Sequence, residues 1–281
     1  MILSIHAYAK INLYLDVSEK RPDGYHDLVS IMQQVSLSDT VSARRLDTGI
    51  TITCTAPDIP TDERNIAHKC ARAFFDHYKI NGGVQIEIEK NIPSSAGLAG
   101  GSTDGAAVLT LLNRLYGTGA DTDTLCRIGA KTGADIPFCI RGSTCLCEGI
   151  GEILTPIVLP KPSYSILIVF PGNGVSTAEA FRELDSTPSD SAGHSPDDVL
   201  IPLKNGEVPV NLYNSFERVI LPLRPAASEC KNILLDNGAR SALLSGSGPS
   251  VFGLFENETA RSAAAEILSA RGFEVHPCEP V

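Results

Sequence analysis

Between Asn91 and Ala107 the chain reads NIPSSAGLAGGSTDGAA, which places four glycines and four hydroxyl residues directly before a helical pattern. Such a stretch can hold an anion. Glycines let backbone N–H groups come close to oxygen atoms, and a helix that begins there adds unpaired N–H groups and about half a positive charge. Ser102, Thr103 and Asp104 stand where short polar side chains cap a helix. The alternative is a flexible turn with an ordinary serine cap. Neither G-x-x-x-x-G-K-[ST] nor G-x-G-x-x-G is present, so the two familiar phosphate-loop spellings are excluded.

Other groups have chemistry open to them. In TGADIPF, Asp135 is either an N-cap with proline in the first turn or a carboxylate fixed at a loop–helix junction, able to accept a hydroxyl proton. LLSGSGPSVF sets Gly246, Ser247 and Gly248 between two apolar runs and, taken alone, reads as a hairpin turn. Lys10 shares a strand face with Asn12; without context such a lysine is solvated. Tyr25 and His26 follow the turn Pro22-Asp23-Gly24 and could be simple surface residues. The eight cysteines form no C-x-x-C. Cys145 and Cys147, at strand spacing, read as buried reduced thiols rather than as a metal site.

The elements that must position these groups are legible in part. Positions 3 to 15 alternate apolar and polar residues, which predicts a strand with one buried and one polar face. Strands are expected near Val41–Arg44, Ile50–Thr55 and Val84–Glu89, and a helix over Glu63–Ile80. Val108, Leu111, Leu112 and Leu115 predict an amphipathic helix ending at Gly117. A short helix is expected over Thr124–Lys131. Pro156, Pro160 and Pro162 suggest a domain boundary, and SILIVF opens the second half as a buried strand. Ser186–Val210 reads as a loop or insertion. Helices follow near Ser215–Leu221, Ala227–Asp236 and Glu258–Arg271. Strands and helices mix without a regular βαβ rhythm, which argues for α+β.

The 281 residues are 43% apolar and include no tryptophan, enough core for one large or two medium domains. A net charge of −10 with no basic run argues against a nucleic-acid partner. No basic-then-apolar N-terminal signal and no long apolar run is visible, so a cytoplasmic protein without a membrane span is expected.

Three segments in this order, AYAKINLYLDVSEKRPDGYHDL, IPSSAGLAGGSTDGAA and LLSGSGPSVFGLF, resemble the signatures of the GHMP small-molecule kinases. A-K-I-N-L followed by R-P-D-G-Y-H is similar to the branch that phosphorylates 4-diphosphocytidyl-2-C-methyl-D-erythritol in the non-mevalonate isoprenoid pathway. GADIPFCIRGSTCLCEGIGEILTPI matches that branch too. The resemblance implies a two-domain α+β fold: a ribosomal-S5-like N-terminal domain over residues 1–158 and a ferredoxin-like C-terminal domain over 159–281. It implies that the loop running from Pro93 through Ser94, Ser95, Ala96, Gly97, Leu98, Ala99, Gly100 and Gly101 to Ser102 and Thr103 wraps the phosphates of ATP. Asp135 matches the catalytic base, and Lys10 its partner at the reacting oxygens. Asn12 is expected on the methylerythritol part, with Gly246, Ser247 and Gly248 also lining the site. Tyr25 by stacking, His26 by hydrogen bonding and Phe181 as a second aromatic cover are expected on the cytosine. Mg²⁺ should accompany ATP, with Ser102 a candidate ligand and Glu148 a weaker one, better read as structural. A small-molecule partner and a monomer or homodimer are expected. Another GHMP kinase, acting on mevalonate, homoserine or a sugar, and a nucleotide-binding regulator on the same scaffold are the competing readings. The loop reads Ser94-Ser95-Ala96-Gly97 where some relatives are nearly all glycine.

Overall fold

The computed structural model describes residues 1–187 and 193–281. Its elements begin with β1 (Ile2–Lys20), β2 (His26–Leu46), β3 (Gly49–Cys54), α1 (Ile66–Tyr78), β4 (Gly83–Glu89), α2 (Gly100–Tyr116), α3 (Thr122–Ala130), α4 (Ile136–Arg141), β5 (Thr144–Glu148) and β6 (Ile153–Pro156). They continue with β7 (Ser165–Phe170), α5 (Thr177–Asp185), α6 (Asp197–Lys204), β8 (Tyr213–Asn214), α7 (Glu217–Leu223), α8 (Pro225–Asp236), β9 (Ser241–Leu244), β10 (Val251–Phe255), α9 (Glu258–Ala270) and β11 (Glu274–Cys278). None of the described helices is long and apolar enough to cross a membrane.

Two compact units form, and neither is one stretch of chain. The first comprises residues 1–9, 37–94 and 99–142, the second 10–36, 95–98 and 143–281. The break expected at 158/159 therefore does not coincide with an edge of either unit. Strands of 19 and 21 residues, β1 and β2, are long enough to give their two ends to different cores.

In the first unit β3 pairs parallel with β4, which pairs antiparallel with β2 from Thr40 to Leu46. Val84, Ile86 and Ile88 point into the core with Val41, Ala43 and Ile52, against Phe74 of α1 and Leu109 and Leu112 of α2. The alternation read in β4 is thus a sheet face covered by helices. Asn65 caps α1 by accepting from the Ala67 N–H at 2.8 Å, and Lys79, in the left-handed region at φ 52°, ends it.

In the second unit β7, β9, β10 and β11 form an antiparallel sheet in the order β11-β7-β10-β9. With helices between β7 and β9 and between β10 and β11, this is the β-α-β-β-α-β ferredoxin-like arrangement. Leu167, Val169, Val251 and Phe255 pack on Leu234 of α8 and Leu268 of α9. The unit also holds β2 (Ser30–Gln33) antiparallel to β5, β5 antiparallel to β6, and β8 parallel to β1 at Tyr14 and Leu15. Cys145 and Cys147 are both fully buried on β5.

Two expectations change, and one helix, α5, is new. Within the segment read as loop, α6 forms and buries Val199, Leu200 and Leu203; Pro196 and Pro202 and the polar surroundings mask so short a pattern, and residues 188–192 of the same segment lie outside the described residues. Strand β2 starts at His26 rather than near Val41, because Ser30, Gln33 and Gln34 are buried and erase the alternation. Helix α5, capped by Ser176 on the Glu179 N–H, was not marked by its composition.

Candidate active site

Lys10 is not solvated. From Ala9 to Leu15 both faces of β1 are covered, and Lys10 is 5% and Asn12 1% exposed. The polar face is instead wired internally. Lys10 Nζ donates to Asn12 Oδ1 at 2.7 Å, Asn12 Nδ2 to Ser30 Oγ at 2.8 Å, and Ser30 Oγ to the Tyr14 carbonyl at 2.7 Å. An ammonium carries three donors; the relay fixes one and aims the group.

The glycine turn of the third motif lies against that lysine. A methyl group added at Gly246, which sits at φ 54°, would stand 3.0 Å from Lys10 Nζ and 3.0 Å from the Gly97 carbonyl oxygen. Asn214 on β8 fixes the turn, its Nδ2 donating to the Leu244 and Gly246 carbonyls at 2.8 Å each while its Oδ1 accepts from the Phe216 N–H. Ser247 Oγ lies 3.4 Å from Thr177 Oγ1.

The loop from Ser95 to Ala99 is held almost wholly through its carbonyls. Ser95 O accepts from Val175 N, Ala96 O from Ser250 N, Leu98 O from Lys10 N and Ala99 O from Thr103 N; Gly97 O accepts from Ser245 Oγ. Among the described residues, none receives a hydrogen bond from the N–H groups of Gly97 through Ser102. Residues of positive φ, Ser95 (52°), Gly97 (78°) and Ala99 (59°), alternate with Ala96 and Leu98. Nests, which bind anions through successive N–H groups, likewise alternate backbone handedness. Gly97 is obligatory by contact as well as by φ, since a methyl there would overlap the Ser245 carbonyl oxygen and crowd Gly248 N at 2.9 Å. Gly97→Ala should cost about 2–4 kcal/mol of stability; an unchanged denaturation midpoint would show that the loop relaxes freely.

The start of α2 differs from the expected cap. Ala99 is the N-cap, left-handed and without a side-chain cap bond, so Gly100 and Gly101 form the first helical turn and Ser102, Thr103 and Asp104 cap nothing. Thr103 spends its N–H on Ala99 and its hydroxyl on the Tyr8 carbonyl at 2.7 Å, and keeps no donor for a ligand. Asp104 is buried in an ion-pair cluster. Lys90 Nζ donates to Asp39 Oδ2 and, at 2.9 Å, to Asp104 Oδ2, while Asp39 Oδ1 accepts from the N–H groups of Asn91 and Ile92. Burial pushes the Asp104 carboxyl up to about 7, against the pull of Lys90 and with Asp39 adding to the rise.

Asp135 occupies the N-cap position of α4 with Pro137 in the first turn, yet its side chain makes no capping bond. The capping alternative is therefore right about position and wrong about the bond. Gly133, two residues before it, lies 4.0 Å from Ser102 Oγ, measured from an added methyl, so the Ser102 hydroxyl sits over this turn in the first unit. Glu148 is exposed at the end of β5.

Tyr25 is 59% exposed on a turn bolted by Arg21, which donates to Asp27 at 2.9 Å and Asp23 at 2.6 Å. His26 is buried, and its ring lies 5.0 Å from that of Phe181. The structure thus brings together Lys10, Asn12, Gly97 and Gly246 in one cluster and His26 and Phe181 in another.

The family model of the GHMP kinases N terminal domain matches residues 65–143, and that of the GHMP kinases C terminal domain matches residues 206–274. The chain belongs to the GHMP kinases. Among its relatives, a 4-diphosphocytidyl-2-C-methyl-D-erythritol kinase of Clostridium novyi is 41% identical over 274 residues, covering 96% of this chain and 97% of the relative. One of the same name from Clostridium kluyveri is 44% identical over 257 residues, covering 90% and 91%. A crystal structure of 4-(cytidine 5'-diphospho)-2C-methyl-D-erythritol kinase superposes with a TM-score of 0.84 at 34% identity, covering 98% of both chains. A homoserine kinase from Cytophaga hutchinsonii, at 20% identity and a TM-score of 0.75, shares the fold. As a GHMP kinase the chain is a phosphotransferase that uses ATP.

Several residues of this GHMP kinase escape motif reading: Asn214, Lys90, Asp39 and Asp185. Each acts through a partner far away in the chain. The one local signal was Asn214, a polar residue flanked by the apolar-rich NLYNSFERV.

Proposed function

We propose that the chain transfers the γ-phosphoryl group of ATP to the 2-hydroxyl of 4-diphosphocytidyl-2-C-methyl-D-erythritol, giving the 2-phosphate and ADP for isopentenyl diphosphate synthesis by the non-mevalonate route. The observation that carries the kinase chemistry is the run of N–H groups from Gly97 to Ser102 that donate to no described residue, at the start of a 17-residue helix. Polyanionic phosphates satisfy those donors and meet the positive end of the helix. The choice of acceptor rests on relatives of that name matched along nearly the whole chain.

Phosphoryl transfer asks the protein to position donor and acceptor and to stabilise spreading negative charge. Asp135, unspent as a cap, takes the proton of the acceptor hydroxyl. Lys10, aimed by Asn12, supplies positive charge at the reacting oxygens. Asn12 contacts the methylerythritol part, and Gly246, Ser247 and Gly248 admit substrate closely because they carry no or small side chains. Tyr25, Phe181 and His26 serve the cytosine.

The residues fit Mg²⁺, a hard cation that takes few protein oxygens beside substrate phosphates. The Ser102 hydroxyl makes no hydrogen bond to a described residue and would hold it together with ATP; the ion would neutralise charge on the transferred group. On this reading the two family halves meet in sequence at 158/159. A reducing cytoplasm suits the thiols of Cys54, Cys70, Cys126 and Cys230.

The test is ADP release by the purified protein with Mg-ATP and, in turn, the cytidyl-linked acceptor, mevalonate and homoserine. Turnover with the first alone is expected; turnover of another acceptor at equal efficiency retires the cytosine reading. Tyr25→Ala should raise KM for the cytidyl acceptor by about tenfold through lost stacking, with KM for ATP unmoved.

A further inference from the structure

His26 is gripped at both edges of its ring. Nδ1 faces the Ser18 carbonyl oxygen at 2.9 Å and Nε2 faces Asp185 Oδ1 at 3.1 Å. The second oxygen of Asp185 accepts from Lys20 Nζ at 2.9 Å. Asp185 closes α5 one turn after Phe181, and residues four apart share a helix face. That face presents to His26 one carboxylate and one ring, and Phe181 is itself braced edge-on by Phe216 at 5.0 Å. With Nδ1 hydrogen-bonded to Ser18 and Nε2 in ion-pair range of Asp185, the imidazole cannot turn without giving up the Nδ1 bond, and both ring edges face groups of the chain. What it offers a base is a fixed ring surface and the backbone that the ring anchors.

The two bonds of Asp185 differ in weight. Lys20 is 54% exposed on its side chain, so its pairing is screened by solvent, whereas the His26 side chain is 6% exposed. The inner contact is the one that fixes geometry.

We propose that Asp185 is a positioning residue for acceptor recognition: by holding the His26 ring against Phe181 it sets the affinity for the cytidyl half of the acceptor and leaves ATP binding alone. This rests on the kinase reading above. None of the three signature motifs contains Asp185, and it reaches His26 only because α5 docks on the start of β2.

The full chain would be compared with Asp185→Ala, Asp185→Asn and Lys20→Ala, measuring kcat, both KM values and CMP binding by calorimetry. Asp185→Ala should raise KM for the cytidyl acceptor, and weaken CMP, by about tenfold, with KM for ATP and kcat within about twofold. Asp185→Asn keeps an oxygen acceptor and should recover most of the loss, and Lys20→Ala should change little. Unchanged CMP affinity and acceptor KM in Asp185→Ala, beside a wild type that turns the acceptor over, would overturn the positioning role alone. Equal rises of both KM values, with apparent kcat falling alongside the folded fraction, would also overturn it, in favour of a purely structural role. A wild type that neither binds CMP nor uses the cytidyl acceptor would overturn the role and the acceptor assignment together.

Discussion

Asp135→Asn should lower kcat by about 10²–10⁴-fold, the range a general base contributes, while the protein stays folded. The asparagine keeps the shape of the carboxylate, and Asp135 makes no capping bond that the change could break. On the proposed mechanism, what disappears is the acceptor for the hydroxyl proton. Lys10→Ala should lower kcat by about 10²–10³-fold, because the lost charge is fixed in a dry setting where it acts strongly. Lys10 is buried, so a thermal melt must accompany the rates, with kcat normalised to folded protein. If base and ammonium act as a unit, the double variant should fall little below the worse single one. Full turnover in a folded Asp135→Asn protein would remove the base from the mechanism, and strictly additive losses would separate the two roles.

Lys90→Met should cost about 3–5 kcal/mol of stability, since breaking a buried ion pair from one side strands the other. Here two carboxylates are stranded, Asp39 at 0% and Asp104 at 3% exposure. Asp39 would keep the N–H groups of Asn91 and Ile92; Asp104, whose Oδ1 already has no hydrogen-bond partner, would keep nothing. The thermal midpoint should drop by roughly 10 °C or more. Asp104 also predicts a pH dependence. Its carboxyl is held up to about 7, with burial the largest cause, whereas in the unfolded chain it titrates near ~3.9. Between those values the native state binds a proton that the unfolded state has released, so this contribution to stability falls as pH rises from about 4 to about 7 and is flat above. The charged groups around it are Lys90 and Asp39, with the Cys54 thiol, itself pushed up by burial, also within their field. Asp104→Asn should flatten that slope. A slope identical to wild type would place the titrating proton elsewhere.

The turn of Gly97 illustrates how local and long-range demands meet. Its positive φ is a property a reader of the sequence can guess from glycine beside a helix start. That its α-hydrogen faces the Ser245 carbonyl, so closely that a methyl would overlap it, depends on a segment nearly 150 positions away in the chain.

The amino-acid order alone determined the family, the α+β class, the strands and helices with clean periods such as β4, α1 and α2, and the positions of Lys10, Asp135 and the glycine-rich loop before α2. Those features are local: a period of two or 3.6, a glycine beside a helix start, a proline after Asp135. Only the tertiary structure decided that Lys10 is buried and wired to Asn12, that Ser102, Thr103 and Asp104 are not caps, and that Asp185 grips His26. It also decided that β1 and β2 serve two compact units, so that neither is continuous in sequence. The reason is physical. A buried polar group needs a partner, and for Lys90, Asn214 and His26 that partner comes from another element, where no periodicity or spacing along the chain records it.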